Sequence, residues 1–134
     1  LGWLTMLDDA TGANAPDYSN LVTPFDVERA ILELTQELDK MPDLIKKHFN
    51  QLQQARKEYR QAFNVAYATA EGTQMDRKVA AEMATEQHAE AVAAAEAQYR
   101  YVQDLKESLK QKLRALQSVS SLMKAQMFSP QGGA

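Results

Sequence analysis

Apolar residues recur at helical spacing along most of this chain, from Val27 to Met127. Steps of three and four place a stripe on one face of an α-helix, because about 3.6 residues make a turn. Val27, Ile31, Leu34, Leu38 and Met41 form a first seam. Ile45, Phe49, Leu52, Tyr59, Phe63, Ala66 and Ala70 form a second, with Arg56 falling on it. A third run is Ala-rich between Ala80 and Ala97, then carries Tyr101, Leu105, Leu109, Leu113, Leu116, Met123 and Met127.

Helix signals punctuate these runs. Thr23-Pro24-Phe25-Asp26 is a start, with a capping hydroxyl, a proline suited to the first turn and an acid matching the dipole. Pro42 is expected to end or sharply kink the first helix, since it lacks the backbone donor and its ring crowds the preceding turn. Gly72 suits the left-handed residue after a helix, and Thr73-Gln74-Met75-Asp76 resembles a capping box that restarts the chain. Nothing later in the third run, up to Phe128, is Gly or Pro. The pattern predicts an all-α fold: a long, coiled-coil-like antiparallel helical hairpin with an additional N-terminal helix. The helices are expected at about 24–41, 43–71 and 74–128 within one domain spanning 23–128. The third helix would outrun the second by several turns. The N-terminal helix is therefore expected to cover part of its stripe, and other subunits to cover more.

Residues 1–22 have no sustained period and read as irregular. Trp3, Leu4, Met6 and Leu7 make at most one apolar turn, read either as a frayed end or as a segment docking Trp3 into a neighbour. Residues 129–134 read as a flexible tail.

Composition narrows the class. The 134 residues fit one domain. Hydrophobic residues make up 45%, but Ala supplies much of that, so helices packed through small residues are expected rather than a thick core. Without Cys there are no disulfides or thiolate metal sites, and a reducing compartment is allowed. No apolar run approaches the ~20 residues of a membrane span, and the first residues lack the basic segment of a secretory signal. A cytoplasmic protein without a membrane partner is expected. The initial Leu is read as a non-ATG start, a trimmed terminus or a true start at Met6.

Charge changes the picture more. The net charge is -3, but it is arranged in blocks. Residues 1–39 hold eight acids against Arg29, and 40–60 hold six bases against Asp43 and Glu58. Residues 71–96 hold six acids against Arg77 and Lys78, and 100–124 hold six bases against Asp104 and Glu107. In a hairpin each acidic block meets a basic one, which alone would select the antiparallel register. Yet Lys46, Lys47, Arg56, Lys57 and Arg60 outnumber the acids expected to face them.

Catalytic chemistry is not legible. There is no phosphate-binding Gly loop, nucleophile elbow or zinc-protease motif, so a non-enzymatic protein without a cofactor is expected. His48 and His88 lack metal-ligand spacing, and Glu82, Glu86 and Glu90 read as a solvated acidic face. Arg56-Lys57-Glu58-Tyr59-Arg60 and Tyr99-Arg100-Tyr101 mix cations with rings, a combination that can hold phosphates and stack bases. Tyr59 and Tyr101 fall on the apolar seams. Tyr99 lies off them and is the better stacking candidate.

Several of these residues carry a likeness. Ala55-Arg56-x-x-Tyr59-x-x-Ala62, Tyr67-Ala68-x-Ala70-Glu71-Gly72-Thr73, Asp76-Arg77-Lys78-x-Ala80-x-x-Ala84, Tyr99-Arg100 and Leu109-x-x-x-Leu113-x-x-Leu116-Gln117-Ser118 together resemble the UvsY-like phage recombination mediators. The likeness covers about residues 28–127. It implies a helical homo-oligomer that binds single-stranded DNA and helps a RecA-type recombinase load onto strands coated by single-strand-binding protein, in the host cytoplasm if phage-encoded. It makes Arg56, Lys57, Arg60, Arg77 and Lys78 candidate phosphate contacts. Lys46 and Lys47 join on charge alone, and Tyr99 with Arg100 as a ring and cation pair. The acidic first 39 residues depart from a plain DNA binder and suit a protein partner or a DNA mimic. The other readings are a phage scaffold-like or assembly-chaperone coiled coil without nucleic-acid affinity, and an acidic N-terminal region that regulates a host protein.

Overall fold

Two threonine caps organise the hairpin. In the computed structural model, which describes residues 23–128, helix α1 runs Pro24–Thr69, α2 runs Gln74–Ala84 and α3 runs Glu86–Phe128. The Thr23 hydroxyl accepts from the Asp26 backbone N–H at 3.1 Å, while the Thr23 N–H donates to the Asp26 carboxylate at 3.3 Å. Thr73 and Asp76 repeat the reciprocal arrangement at 3.2 and 3.1 Å. Each box satisfies two otherwise orphaned backbone donors at a helix start. Between the arms, Gly72 has φ +107°, and a Cβ there would sit 2.7 Å from the Asp76 carboxylate that closes the second box. The turn thus requires glycine both for its backbone and for the cap beside it. The long helices pack against each other as an all-α hairpin, as the pattern predicts. The calls on residues 1–22 and 129–134 lie outside the described residues.

Pro42 does not end the first helix. It lies inside one 46-residue helix, so the expected N-terminal helix and first hairpin arm are continuous. An interior proline forfeits one backbone bond. Pro42 is on the exposed side, where water can take up the carbonyl it leaves unpartnered, and Met41 beside it is buried. Packing on the buried face overrides the local penalty. The first arm is therefore one helix of 46 residues, against helices of 11 and 43 residues in the second.

The second arm has a break instead at Thr85, which is buried and has φ -111° and ψ 15°. Its hydroxyl donates to the Ala81 carbonyl at 2.7 Å, the same carbonyl that accepts the Thr85 N–H at 3.1 Å. A threonine that back-bonds one turn earlier distorts a helix without cutting it. The Ala89 N–H still reaches the Thr85 carbonyl at 3.0 Å.

The described residues form two compact units, one of 23–41 with 105–128 and one of Pro42–Asp104. In the first, Val27, Ala30, Leu34, Glu37 and Met41 are the buried line of α1, and Leu109, Leu116 and Ser120 that of α3. The expected seam shares Val27, Leu34 and Met41, but Ala30 and Glu37 replace Ile31 and Leu38. The small Ala30 allows close approach, and Glu37 reaches sideways to the Lys40 ammonium at 3.2 Å. The N-terminal part of α1 and the C-terminal part of α3 thus belong to one unit, as the covering argument expected. In the second unit, Leu52, Ala81, Thr85 and Val102 are buried. Val102 takes the place expected for Tyr101, which is 44% exposed.

Candidate nucleic-acid interface

The candidate cations are carried mostly by the first arm of the second unit. Between residues 44 and 70 the only acid is Glu58. Lys46, Asn50, Gln53, Lys57, Arg60 and Asn64 follow one another at steps of four and three, and all are exposed. That spacing gives one solvent face about 27 Å long at 1.5 Å per residue, bearing cations and amides but no carboxylate. Lys46, Lys57 and Arg60 have no ion-pair partner within 4 Å among the described residues. Lys47 is also exposed and without such a partner, but sits to one side of the line.

Arg56 and Arg100 are drawn elsewhere, both toward Glu96. The Arg100 guanidinium lies 2.6 Å from one Glu96 oxygen, and that of Arg56 lies 4.0 Å from the other. Arg56 also donates to the Gln53 side-chain carbonyl at 3.3 Å. Here the facing-block explanation for the charges has a physical contact: Arg56 and Glu96 join the two arms of the unit. Glu28 and Lys124 do the same in the first unit at 3.1 Å.

Tyr99 is half-buried, its ring tilted against Phe49 with centroids 5.6 Å apart. The proposed stacking ring is therefore already engaged in packing. Arg77 is half-buried too, with its Nε out of solvent and without a hydrogen-bond partner among the described residues. Lys78 is exposed and lines an open groove with Phe63, Tyr67, Gln74 and Met75. The structure thus brings together Lys46, Lys57 and Arg60 along one face, with Lys78 at the groove, and sets Arg56, Arg100 and Tyr99 into local contacts.

Sequence reasoning placed Phe63 on the packing seam and did not single out Tyr67 as a site residue. Tyr59, Phe63 and Tyr67 recur every fourth residue and make a ladder along α1, with centroids 6.2 and 6.5 Å apart. The repeat is visible in the sequence, but which ring edges remain open depends on the other arm. Glu82, Glu86 and Glu90 are exposed. Among the described residues, no group of three or more His, Cys, Asp or Glu side chains is placed to hold a metal ion, and no helix is long and apolar enough to cross a membrane.

No family model matches the chain, and no curated protein or solved structure is significantly similar to it.

Proposed function

We propose that this chain is a non-enzymatic, single-stranded DNA-binding recombination mediator that assists loading of a RecA-type recombinase onto strands coated by single-strand-binding protein. The observation that carries the reading is the face of Lys46, Lys57 and Arg60, exposed and without an ion pair among the described residues, with amides between the cations. A protein needing those charges only for register would engage them with acids. Phosphates need mobile, solvent-facing cations whose counterions can be released. The resemblance of residues 28–127 to UvsY-like mediators supplies the recombinase and the homo-oligomer. Exposed Val79 and Met83, four residues apart on α2, support self-association.

Oligonucleotide affinity measured at two salt concentrations tests the reading. Affinity should fall steeply with salt. Replacing Lys57, Arg60 and Lys46 with Ala should lower the slope of log affinity against log salt by about 2, at roughly 0.7 per lost single-strand phosphate contact. Helicity should not change. Absence of binding at low salt would refute the reading.

The second reading, a coiled-coil assembly protein without nucleic-acid affinity, is favoured by the cross-arm pairs Arg56–Glu96 and Glu28–Lys124. It predicts that the same triple variant alters the mass measured by light scattering and leaves oligonucleotides irrelevant.

A further inference from the structure

We infer that the groove beside the turn is a base-stacking subsite, in which Phe63 and Tyr67 hold an unpaired nucleobase and Lys78 holds a neighbouring phosphate. The inference rests on the single-strand-binding reading and adds to it a place where bases, not only phosphates, are recognised.

The groove occupies about 480 Å³ and is lined by Phe63, Tyr67, Gln74, Met75 and Lys78. Its two rings are nearly parallel, at 19°, with centroids 6.5 Å apart. Both rings are half-buried, whereas the buried line of this unit runs through Leu52, Ala81, Thr85 and Val102. Phe63 and Tyr67 are thus anchored at the edge of the core with surface still open to the groove. Met75, also in the lining, is 68% exposed and supplies a flexible, polarisable side chain.

Charge selects the occupant. Lys78 in the lining and Arg60, three residues before Phe63, are exposed and have no ion pair among the described residues. An apolar peptide has no use for two unpaired cations beside its groove. A single strand offers the matching combination: a flat apolar face for the rings and an anionic backbone for the ammonium and guanidinium groups. Duplex DNA presents its bases already stacked and paired, so the subsite favours single strands. Stacking on an aromatic ring also tolerates any base, so little sequence preference is expected.

The full chain is tested against an oligothymidylate and an abasic oligonucleotide of the same length and charge. The wild type should prefer the strand with bases. Tyr67→Ala should reduce affinity for it by about tenfold, while leaving abasic binding and the salt slope unchanged. Tyr67→Phe, which keeps the ring, should retain the preference. Lys78→Gln should instead lower the salt slope by about 0.7 for both strands. Equal, salt-dependent binding of both strands, unchanged by Tyr67→Ala, overturns the subsite and leaves the single-strand reading standing. Failure of the wild type to bind either strand overturns both. A change in the light-scattering mass of Tyr67→Ala, with no loss of base preference, assigns the groove to a second copy of the chain and overturns the subsite.

Discussion

The two units solve the same packing problem with different materials. The unit of 23–41 with 105–128 contains Val27, Ala30, Leu34, Met41, Leu109 and Leu116, six of the nine buried apolar residues among those described. The Pro42–Asp104 unit buries Leu52, Ala81 and Val102, and surrounds them with half-buried rings. Charge runs in opposite senses. The first unit has an acidic first arm and a basic second arm, while the other has a basic first arm and an acidic second one. An aliphatic heptad line suits a clamp. A thinner core, edged with half-buried rings and with Lys57 and Arg60 free of ion pairs among the described residues, leaves those rings part of their surface.

The largest test of that difference is Leu34→Ala. Leu34 is fully buried, and truncation removes its transfer energy and leaves a cavity, a loss of about 2–5 kcal/mol. Denaturant unfolding should show the midpoint falling sharply. Oligonucleotide affinity, measured well below the new midpoint, should change little. A large loss of affinity with little loss of stability would break the division between clamp and binding surface.

Enlargement should be the sensitive change in the other unit. Ala81 is fully buried, and its carbonyl accepts both the backbone and the hydroxyl bond of Thr85. Ala81→Leu adds volume where the second arm is already distorted, and should cost about 1–3 kcal/mol through forced rotamers or backbone shifts. Thermal unfolding followed by circular dichroism reads this directly. A stabilised Ala81→Leu variant would mean that this unit is loosely packed rather than closely packed through small residues.

The legibility of the chain divides along physical lines. The caps at Thr23 and Thr73 and the turn at Gly72 depend on neighbouring residues alone, so the sequence announces them. Pro42 misleads because its local cost is outweighed by packing on the other side of the helix. Ile31 and Leu38 draw the expected seam toward themselves by bulk, whereas a close helix approach prefers Ala30 and tolerates Glu37 with its charge turned aside. Thr85 carries no signal of a break, because its effect requires a buried hydroxyl. At the candidate site the cations are readable as charge, and the face of Lys46, Lys57 and Arg60 follows from helical spacing. The fates of Tyr99, covered by Phe49, and of Tyr67, left at a groove, are set by what the other arm places beside them.

The smallest effect concerns how the first unit holds its arms together. The Ser120 hydroxyl donates to Glu28 at 2.8 Å, and the Lys124 ammonium lies 3.1 Å from the same oxygen. The serine bond first, and then the lysine, hold the Glu28 carboxyl below its ordinary value. A carboxylate whose folded pKa is depressed adds stability above its unfolded pKa and loses it as pH falls through the folded value. The melting temperature should therefore decline on acidification through the ordinary glutamate range and just below it. Glu28→Gln should flatten that part of the profile. The amide can still accept the Ser120 bond but has no charge for Lys124, so the flattened portion reports the charged form. Because Glu28 is exposed, the difference should be small and should shrink in high salt. A Glu28→Gln profile parallel to that of the wild type would remove this pair from the forces that fix the register of the first unit, leaving its aliphatic line to do so alone.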